Sequence, residues 1–334
     1  MTGAALAALG VVLIAVVLVD LWTTTLTLTG GAGPLTRRLG DGLWRVLLRA
    51  HARDSSSRVL ANAGGGILVV TVLVWVTLFW AGWTLLFLSG GAISDAQTGA
   101  AASVADVVYY AGFTVSTLGV GDFTADTALW RILTSVASFS GLFLVTLAIT
   151  YLLSVVSAVV SRRSLATYVQ ALGDTAGDIV VRGWAGDAVS SAFVQHLVTL
   201  TAQLSAVAEQ HLAYPVLHYF RSRHPDDSAP VALARLDDAV LLLRAAVAPS
   251  ARPDPATVDP VQRVLGSYAQ AAHAASATPR TDPVPPLPDT GPLLRAGIPL
   301  ADQGEWGRQA SADAGRRARL ARVVTDAGWS WPGS

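Results

Sequence analysis

Residues 117–122 have the sequence TLGVGD, in which a single residue separates two glycines. Glycine adopts positive φ at little steric cost, so a backbone with this spacing can alternate in conformation and present successive carbonyl groups on one side. Such carbonyl oxygens, together with the Thr117 hydroxyl, can replace the water around a cation. The segment therefore has the groups that bind an ion, although a plain turn between two helices could have the same six residues.

The composition indicates a membrane protein. Of the 334 residues, 52% are hydrophobic and 14% are charged, whereas an ordinary soluble domain has about 25% charged residues. From residue 161 onward, however, 16 arginines balance 16 acidic residues, as in a soluble domain. There are no cysteines, which excludes disulfides, thiolate metal sites and cysteine nucleophiles. The net charge of zero gives no reason to expect a nucleic-acid partner.

Three stretches reach the length of about 20 apolar residues that a membrane-spanning helix needs. They are residues 4–28, 67–88 and 132–160. The first lacks the preceding basic residues of a secretory signal peptide, so we expect a membrane span there. Asp20 is the only ionisable residue in that span. We expect its carboxylate near the membrane interface, with a polar contact to a neighbouring helix as the alternative.

Arginines after the first span predict the orientation. By the positive-inside rule, the loop that contains them is cytoplasmic: Arg37, Arg38, Arg45, Arg49, Arg53 and Arg58. Arg162 and Arg163 end the third span on the same side, and residues 90–106 contain no basic residue, as expected for an outer loop. We therefore predict a multi-pass protein of the cell membrane with its N-terminus outside and a cytoplasmic C-terminal domain.

The region between the second and third spans is not a simple loop. Residues 104–116 are mostly apolar and aromatic, but a helix of about a dozen residues covers only about 18 Å. Glycine-rich backbone after such a half-length helix predicts a re-entrant element. Backbone of this kind is tolerated at membrane depth only inside protein or beside a watery cavity.

TLGVGD, preceded by DVVYYAGFTVS and followed by a long apolar helix, resembles the pore loop of potassium channels, whose usual filter reads TVGYGD. Arg131 and Gly141 lie ten and twenty residues after Gly121, where that family often has an arginine and a hinge glycine. The resemblance covers about residues 66–163, the two-span pore module. It covers neither the first span nor the C-terminal half.

The resemblance implies a filter whose backbone carbonyls bind permeant K⁺, with no other metal or cofactor. Asp122 would mark the outer mouth and Gly141 a gating hinge, although Gly141 could instead be a small residue for close helix packing. Leu118 and Val120 would point away from the pore axis and pack against the pore helix. The ion-binding residues would be Thr117, Leu118, Gly119, Val120 and Gly121.

Two residues depart from the family pattern. Val120 stands where an aromatic residue is usual, and it is smaller and cannot donate a hydrogen bond. This leaves potassium selectivity open, with a weakly selective cation pore as the alternative. Phe113 stands where some members have a glutamate that pairs with the filter aspartate, so we expect no such pair for Asp122.

Because each chain has one pore loop, a filter of four loops requires four chains, and we predict a homotetramer within membrane lipid. We expect a passive potassium-selective channel, gated at its inner helix by the cytoplasmic domain. No nucleophile–base pattern or carboxylate pair suggests an enzyme. A further alternative is a membrane-anchored signalling or binding protein with a vestigial pore module. The sequence does not indicate the ligand or partner of the cytoplasmic domain.

We thus predict an all-α membrane protein with three transmembrane helices, a re-entrant pore helix and filter, and a mainly helical cytoplasmic domain. In that domain we predict helices at residues 188–212, 231–247 and 305–324, with proline-rich breaks at 248–260 and 278–292, and it has no dinucleotide-binding G-x-G-x-x-G turn. We interpret His211, His218 and His224 as packing or surface residues. The arginines from 316 to 322 are interpreted as a solvated face. The predicted domains are 1–29 (additional span), 30–65 (basic loop), 66–163 (pore module) and 164–334 (helical domain).

Overall fold

The computed structural model describes residues 3–27, 31–50, 58–275 and 284–333. Residue 28 of the first predicted span, Arg53 and residues 278–283 of the second proline-rich break lie outside these ranges. Within them, three helices are long and apolar enough to cross a membrane: α1 (Gly3–Thr25), α3 (Arg58–Gly90) and α5 (Ala128–Leu172). The three predicted spans are confirmed as helices, and the chain is an all-α membrane protein.

The chain divides into two compact units, Met1–Trp44 with Gly65–Ser154 and Arg45–Gly64 with Val155–Ser334. In the first unit, α1 approaches α3 closely at two glycines. A Cβ atom on Gly10 would lie 2.7 Å from the carbonyl oxygen of Gly82, so only a residue without a side chain fits this crossing. After α3, the chain forms the short helix α4 (Val104–Val115). The strands on either side of this helix in the sequence, β1 (Ile93–Asp95) and β2 (Phe123–Ala125), pair as a two-stranded antiparallel sheet.

A helix that the sequence did not predict, α2 (Pro34–Ala50), occupies part of the basic loop. The side chain of Asp20, which belongs to α1, is fully buried at the N-terminus of α2. The Asp20 carboxylate accepts hydrogen bonds from the backbone N–H groups of Leu35 (2.7 Å) and Thr36 (3.2 Å), from the Thr36 hydroxyl (2.6 Å) and from the Trp75 indole on α3 (2.8 Å). The alternative of a polar contact between Asp20 and neighbouring helices is therefore what the structure has.

The second unit is a helical domain. In its described part, the strand pairings are limited to isolated bridges. The helix α8 continues as a short π-helical stretch, Leu242–Ala246. The helices are α6 (Ala176–Arg182), α7 (Ser191–Ala213), α8 (Ala229–Leu241), α9 (Pro255–Ala275), α10 (Gly291–Arg295), α11 (Gln303–Ala312) and α12 (Ala314–Asp326).

Two features of this domain differ from the sequence prediction. The predicted helix at 305–324 is two helices, α11 and α12, separated at Asp313. The predicted break at 248–260 contains the start of α9, where Asp254 accepts a hydrogen bond from the N–H of Ala256 (2.8 Å). Pro255 begins this helix, and proline is tolerated there because the first turn needs no N–H partner.

The central helix α8 is buried at every residue, including Asp237 and Asp238. Arg317 of α12 donates to Asp238 at 2.6 Å, the indole of Trp331 donates to the other Asp238 oxygen at 2.8 Å, and Arg316 pairs with Asp237. Burial raises the pKa of Asp238 to about 6, while Arg317 acts in the opposite direction. Paired acids on α8 therefore anchor α12 and the C-terminal residues.

The interpretation of the arginines in α12 as a solvated face was wrong. Arg317 is fully buried, Arg322 is 5% exposed and pairs with Asp326, and the Arg316 side chain is 10% exposed. Arg319 is exposed, as expected. The acidic partners of Arg316 and Arg317 lie on α8, and spacing along α12 does not reveal them.

The three histidines do not form a metal site. The described residues contain no group of three or more histidine and acidic side chains that could hold a metal ion. His211 is 3% exposed and packs edge-on against Tyr268, with ring centroids 5.7 Å apart. Burial lowers the pKa of His211 well below its usual value. The packing interpretation of His211 is therefore confirmed.

We predict that Asp20→Ala destabilises the full-length protein, because it leaves buried donors on α2 and α3 without an acceptor. Each buried donor that is left without an acceptor costs about 1–3 kcal/mol. Thermal unfolding in detergent measures the change. Trp75→Phe, which removes one donor, should cost less, and Asp187→Ala, at an exposed carboxylate, should have almost no effect. Equal melting of Asp20→Ala and wild type would contradict this role.

For the second unit, we predict that Asp238→Ala destabilises the chain by about 3–5 kcal/mol, because the buried Arg317 loses its 2.6 Å contact with Asp238 and keeps only the more distant Asp237 carboxylate, at 3.9 Å. Calorimetric unfolding of the full-length protein measures the loss. Asp174→Ala is the matched control, since its pair with Arg182 lies at the surface, with an N–O distance of 3.7 Å and both side chains more than half exposed. A similar effect of both variants would disprove the assignment of Asp238 as an anchor.

Candidate functional site

The helix α4 positions TLGVGD. It begins with a capping box, in which Ser103 and Asp106 each accept from the other's backbone N–H. Its aromatic side chains then fix it against α3 and α5. Tyr110 packs edge-on against Phe87 with ring centroids 5.1 Å apart, and the Tyr110 hydroxyl lies 2.6 Å from the Thr134 hydroxyl. The predicted half-length helix is therefore confirmed.

The chain turns sharply where α4 ends. The N–H of Thr117 donates to the Thr114 carbonyl (3.0 Å) and the N–H of Leu118 donates to the Phe113 carbonyl (2.9 Å). These bonds satisfy carbonyl groups at the end of the helix, which otherwise have no partner within it. The start of TLGVGD is thereby tied directly to the last turn of α4.

Positive φ occurs at every second residue of the segment: Thr117 (60°), Gly119 (59°) and Gly121 (87°). A Cβ atom on either glycine would meet nothing within 4 Å. Glycine is thus required here by the backbone conformation and not by crowding. Thr117 adopts the same left-handed conformation, which residues other than glycine rarely adopt.

The carbonyl oxygens of residues 117–121 accept no hydrogen bond from any part of the chain that the structure describes. The next carbonyl, that of Asp122, accepts from the N–H of Ala96 (2.8 Å). The segment is therefore held at both ends by hydrogen bonds, while five successive carbonyls between them are available to another partner. A run of free carbonyls in an apolar module is the arrangement that can coordinate a dehydrated cation.

The side chains of Leu118 and Val120 are 71% and 50% exposed in the single chain. The sequence predicted that they pack against the pore helix, and one chain alone does not provide that packing. A groove of about 600 Å³ also opens beside the segment and is lined by Gly119, Gly121 and, on α5, Phe139.

At the outer end of the segment, the ring of Tyr109 packs edge-on against Phe123, with ring centroids 6.3 Å apart. The Oδ1 atom of Asp122 is buried and has no hydrogen-bond partner among the described residues. Phe113 is buried and packs edge-on against Tyr109, with ring centroids 5.2 Å apart.

Arg131 and Gly141 both lie on α5. The Arg131 side chain donates from Nε to the carbonyl of Ala125 in β2 (3.0 Å). A Cβ atom on Gly141 would overlap the carbonyl oxygen of Val115, the last residue of α4. Gly141 thus permits α5 to touch the end of α4, as its packing interpretation expects, and α5 is a continuous helix through this point.

Comparison with known proteins agrees with this geometry. Residues 68–158, which include α4 and TLGVGD, match a family model described as an ion channel. The uncharacterised membrane protein YdjJ of Bacillus subtilis is 31% identical to the chain over 325 residues, covering 97% of this chain and 94% of that protein. No solved structure matches the chain significantly. The chain therefore belongs to the same family as this membrane protein, and it contains an ion channel domain, which is a transport module and not an enzyme.

Proposed function

We propose that four copies of the chain form a potassium-selective channel in the cell membrane, with the four TLGVGD segments arranged around the central axis as its filter. The observation that carries this proposal is the run of five carbonyls without hydrogen bonds, on a backbone with positive φ at every second residue. Rings of such carbonyls can replace the hydration shell of K⁺, which then passes down its electrochemical gradient.

The direction of α4 supports a cation as the permeant ion. Its C-terminus lies next to Thr117, two residues after Val115. Aligned peptide dipoles place about half a negative charge at the C-terminal end of a helix. A dehydrated cation at the inner end of the filter is thus stabilised, whereas an anion is repelled.

The exposed apolar side chains around the segment support assembly. Leu118 and Val120 are uncovered in one chain, beside a groove that Phe139 lines. A symmetric neighbour can bury these groups, and closed cyclic symmetry is the usual arrangement of identical chains around an axis. Four chains complete the carbonyl rings, with N-termini outside and the C-terminal domains in the cytoplasm.

A weakly selective cation channel is the second candidate, and Val120 is the observation that favours it. Its side chain cannot donate a hydrogen bond, so it cannot brace the filter as an aromatic hydroxyl or indole could. The outer end of the filter is instead held by the hydrogen bond from Ala96 to the Asp122 carbonyl and by the strand pairing of Phe123 with Asp95. The stiffness that these contacts provide determines how strongly K⁺ is preferred over Na⁺.

We predict K⁺-selective currents from the purified protein in planar bilayers with opposing K⁺ and Na⁺ solutions. The reversal potential should lie close to the K⁺ equilibrium potential, because the carbonyl rings favour the larger cation. A reversal potential near zero would identify the weakly selective pore. Absence of current under all conditions would contradict both and leave a membrane-anchored protein with a vestigial pore.

The variant Gly121→Ala tests the filter directly. Its Cβ atom disfavours positive φ by about 1–2 kcal/mol in each subunit, so current should be lost while light scattering still detects four chains. Gly66→Ala is the matched control, because Gly66 lies in α3 with open space around its Cβ position and no positive φ. Normal conduction by Gly121→Ala would disprove the filter assignment.

A separate prediction concerns Gly141, which we propose as the point where α5 bends during gating. Since its added methyl group would meet the Val115 carbonyl, Gly141→Ala should destabilise the protein by about 1–3 kcal/mol through overpacking. Thermal unfolding measures this, with Gly65→Ala, another uncrowded glycine of α3, as control. Unchanged stability with altered open probability would instead assign Gly141 to bending alone.

A further inference from the structure

The C-terminal unit contains a pocket of about 450 Å³ that is rich in positive charge. We call it the basic pocket. It forms where residues 159–163 of α5 meet residues 220–224, which connect the 3₁₀ turns Pro215–Tyr219 and Pro225–Asp227. Its charged and titratable lining residues are Arg162, Arg163, Arg221, Arg223, His224 and Asp227. Four arginines thus share the pocket with one acid.

Two of these arginines are held in place by backbone carbonyls. Arg162 donates to the carbonyl of Leu217 at 2.7 Å. Arg221 donates to the carbonyl of Gly328 at 3.0 Å, and its guanidinium carbon lies 5.8 Å from the centre of the Trp329 ring. A carbonyl has no formal charge, so these contacts fix the positions of the two guanidinium groups without pairing either with an acid.

The remaining basic groups have weak partners or none. The nearest acid to Arg163 is Asp227, with an N–O distance of 3.5 Å, and the Arg163 side chain is 70% exposed. Across the residues with described positions, the side chains of Arg223 and His224 have no hydrogen-bond or ion-pair partner. The Nε of Arg221 is buried and also lacks an acceptor.

Three arginines elsewhere in the same unit have acidic partners. Arg317 pairs with Asp238, Arg252 with Glu305, and Arg244 with Asp259. The basic pocket therefore concentrates four guanidinium groups beside a single acid, Asp227. Like charges gathered in this way repel one another unless an anion lies between them.

We propose that the basic pocket binds a phosphate-bearing anion. The planar guanidinium group presents parallel N–H donors that match two phosphate oxygens, and several arginines around a concave site are the usual solution for such groups. The phosphate can belong to a soluble metabolite or to an anionic lipid headgroup. This binding does not depend on conduction through the pore.

The test uses the full-length chain in nanodiscs of phosphatidylcholine, titrated with inorganic pyrophosphate in a calorimeter. We expect saturable binding of one pyrophosphate per chain. Arg223→Gln should weaken it at least tenfold, and this variant should fold normally because the side chain is exposed and unpaired. Arg319→Gln, which removes the same charge from an exposed position on α12, is the matched control and should bind as wild type does.

A second arm distinguishes the two sources of phosphate. The same proteins are placed in nanodiscs that contain phosphatidylglycerol, and native mass spectrometry counts the lipids that each chain retains. Fewer retained lipids for Arg223→Gln than for wild type and Arg319→Gln would assign a lipid headgroup, whereas an effect on pyrophosphate alone would assign a soluble anion. If Arg223→Gln changes neither measurement, or Arg319→Gln reduces binding equally, the proposal is overturned.

Discussion

Backbone polar groups within a bilayer cannot remain without partners, and this constraint shapes the whole first unit. Helices α1, α3 and α5 satisfy it internally, but every helix end and irregular segment requires a separate solution. At the start of α2, the solution is Asp20, whose carboxylate accepts from two backbone N–H groups of that helix. The helix dipole favours a carboxylate at that end, so the Asp20 side chain inside a span stabilises the connection between α1, α2 and α3.

The TLGVGD segment satisfies the same constraint only at its ends and leaves its central carbonyl groups without hydrogen bonds. Its N–H groups at Thr117 and Leu118 find acceptors at the end of α4, and its last carbonyl finds a donor at Ala96. The carbonyls in between are left to a partner that the described part of the chain does not supply. The strain of positive φ at Thr117 is maintained because α4, fixed by Tyr110 and its neighbours, holds the segment from behind.

The elements that the sequence predicted well are those determined by local pattern. Long apolar runs and one half-length run are sufficient to identify α1, α3, α4 and α5, and glycine spacing is sufficient to locate the candidate filter. The elements that it missed depend on partners far along the chain. The burial of Asp20 requires Trp75, 55 residues away, and the burial of Arg317 in α12 requires Asp238, 79 residues away. No periodicity within one helix contains that information.

Buried charges in the second unit also depend on partners far along the chain. The arginines of the basic pocket differ from these paired charges. Asp237 and Asp238 could be buried in α8 only because α12 brings Arg316 and Arg317 to them. A domain that matches its buried charges in this way would become more stable if the repulsion among Arg162, Arg221 and Arg223 were removed. Local departures from the packing rules that govern the rest of a molecule are expected at functional sites. The pocket therefore reflects a requirement for binding that folding alone does not impose.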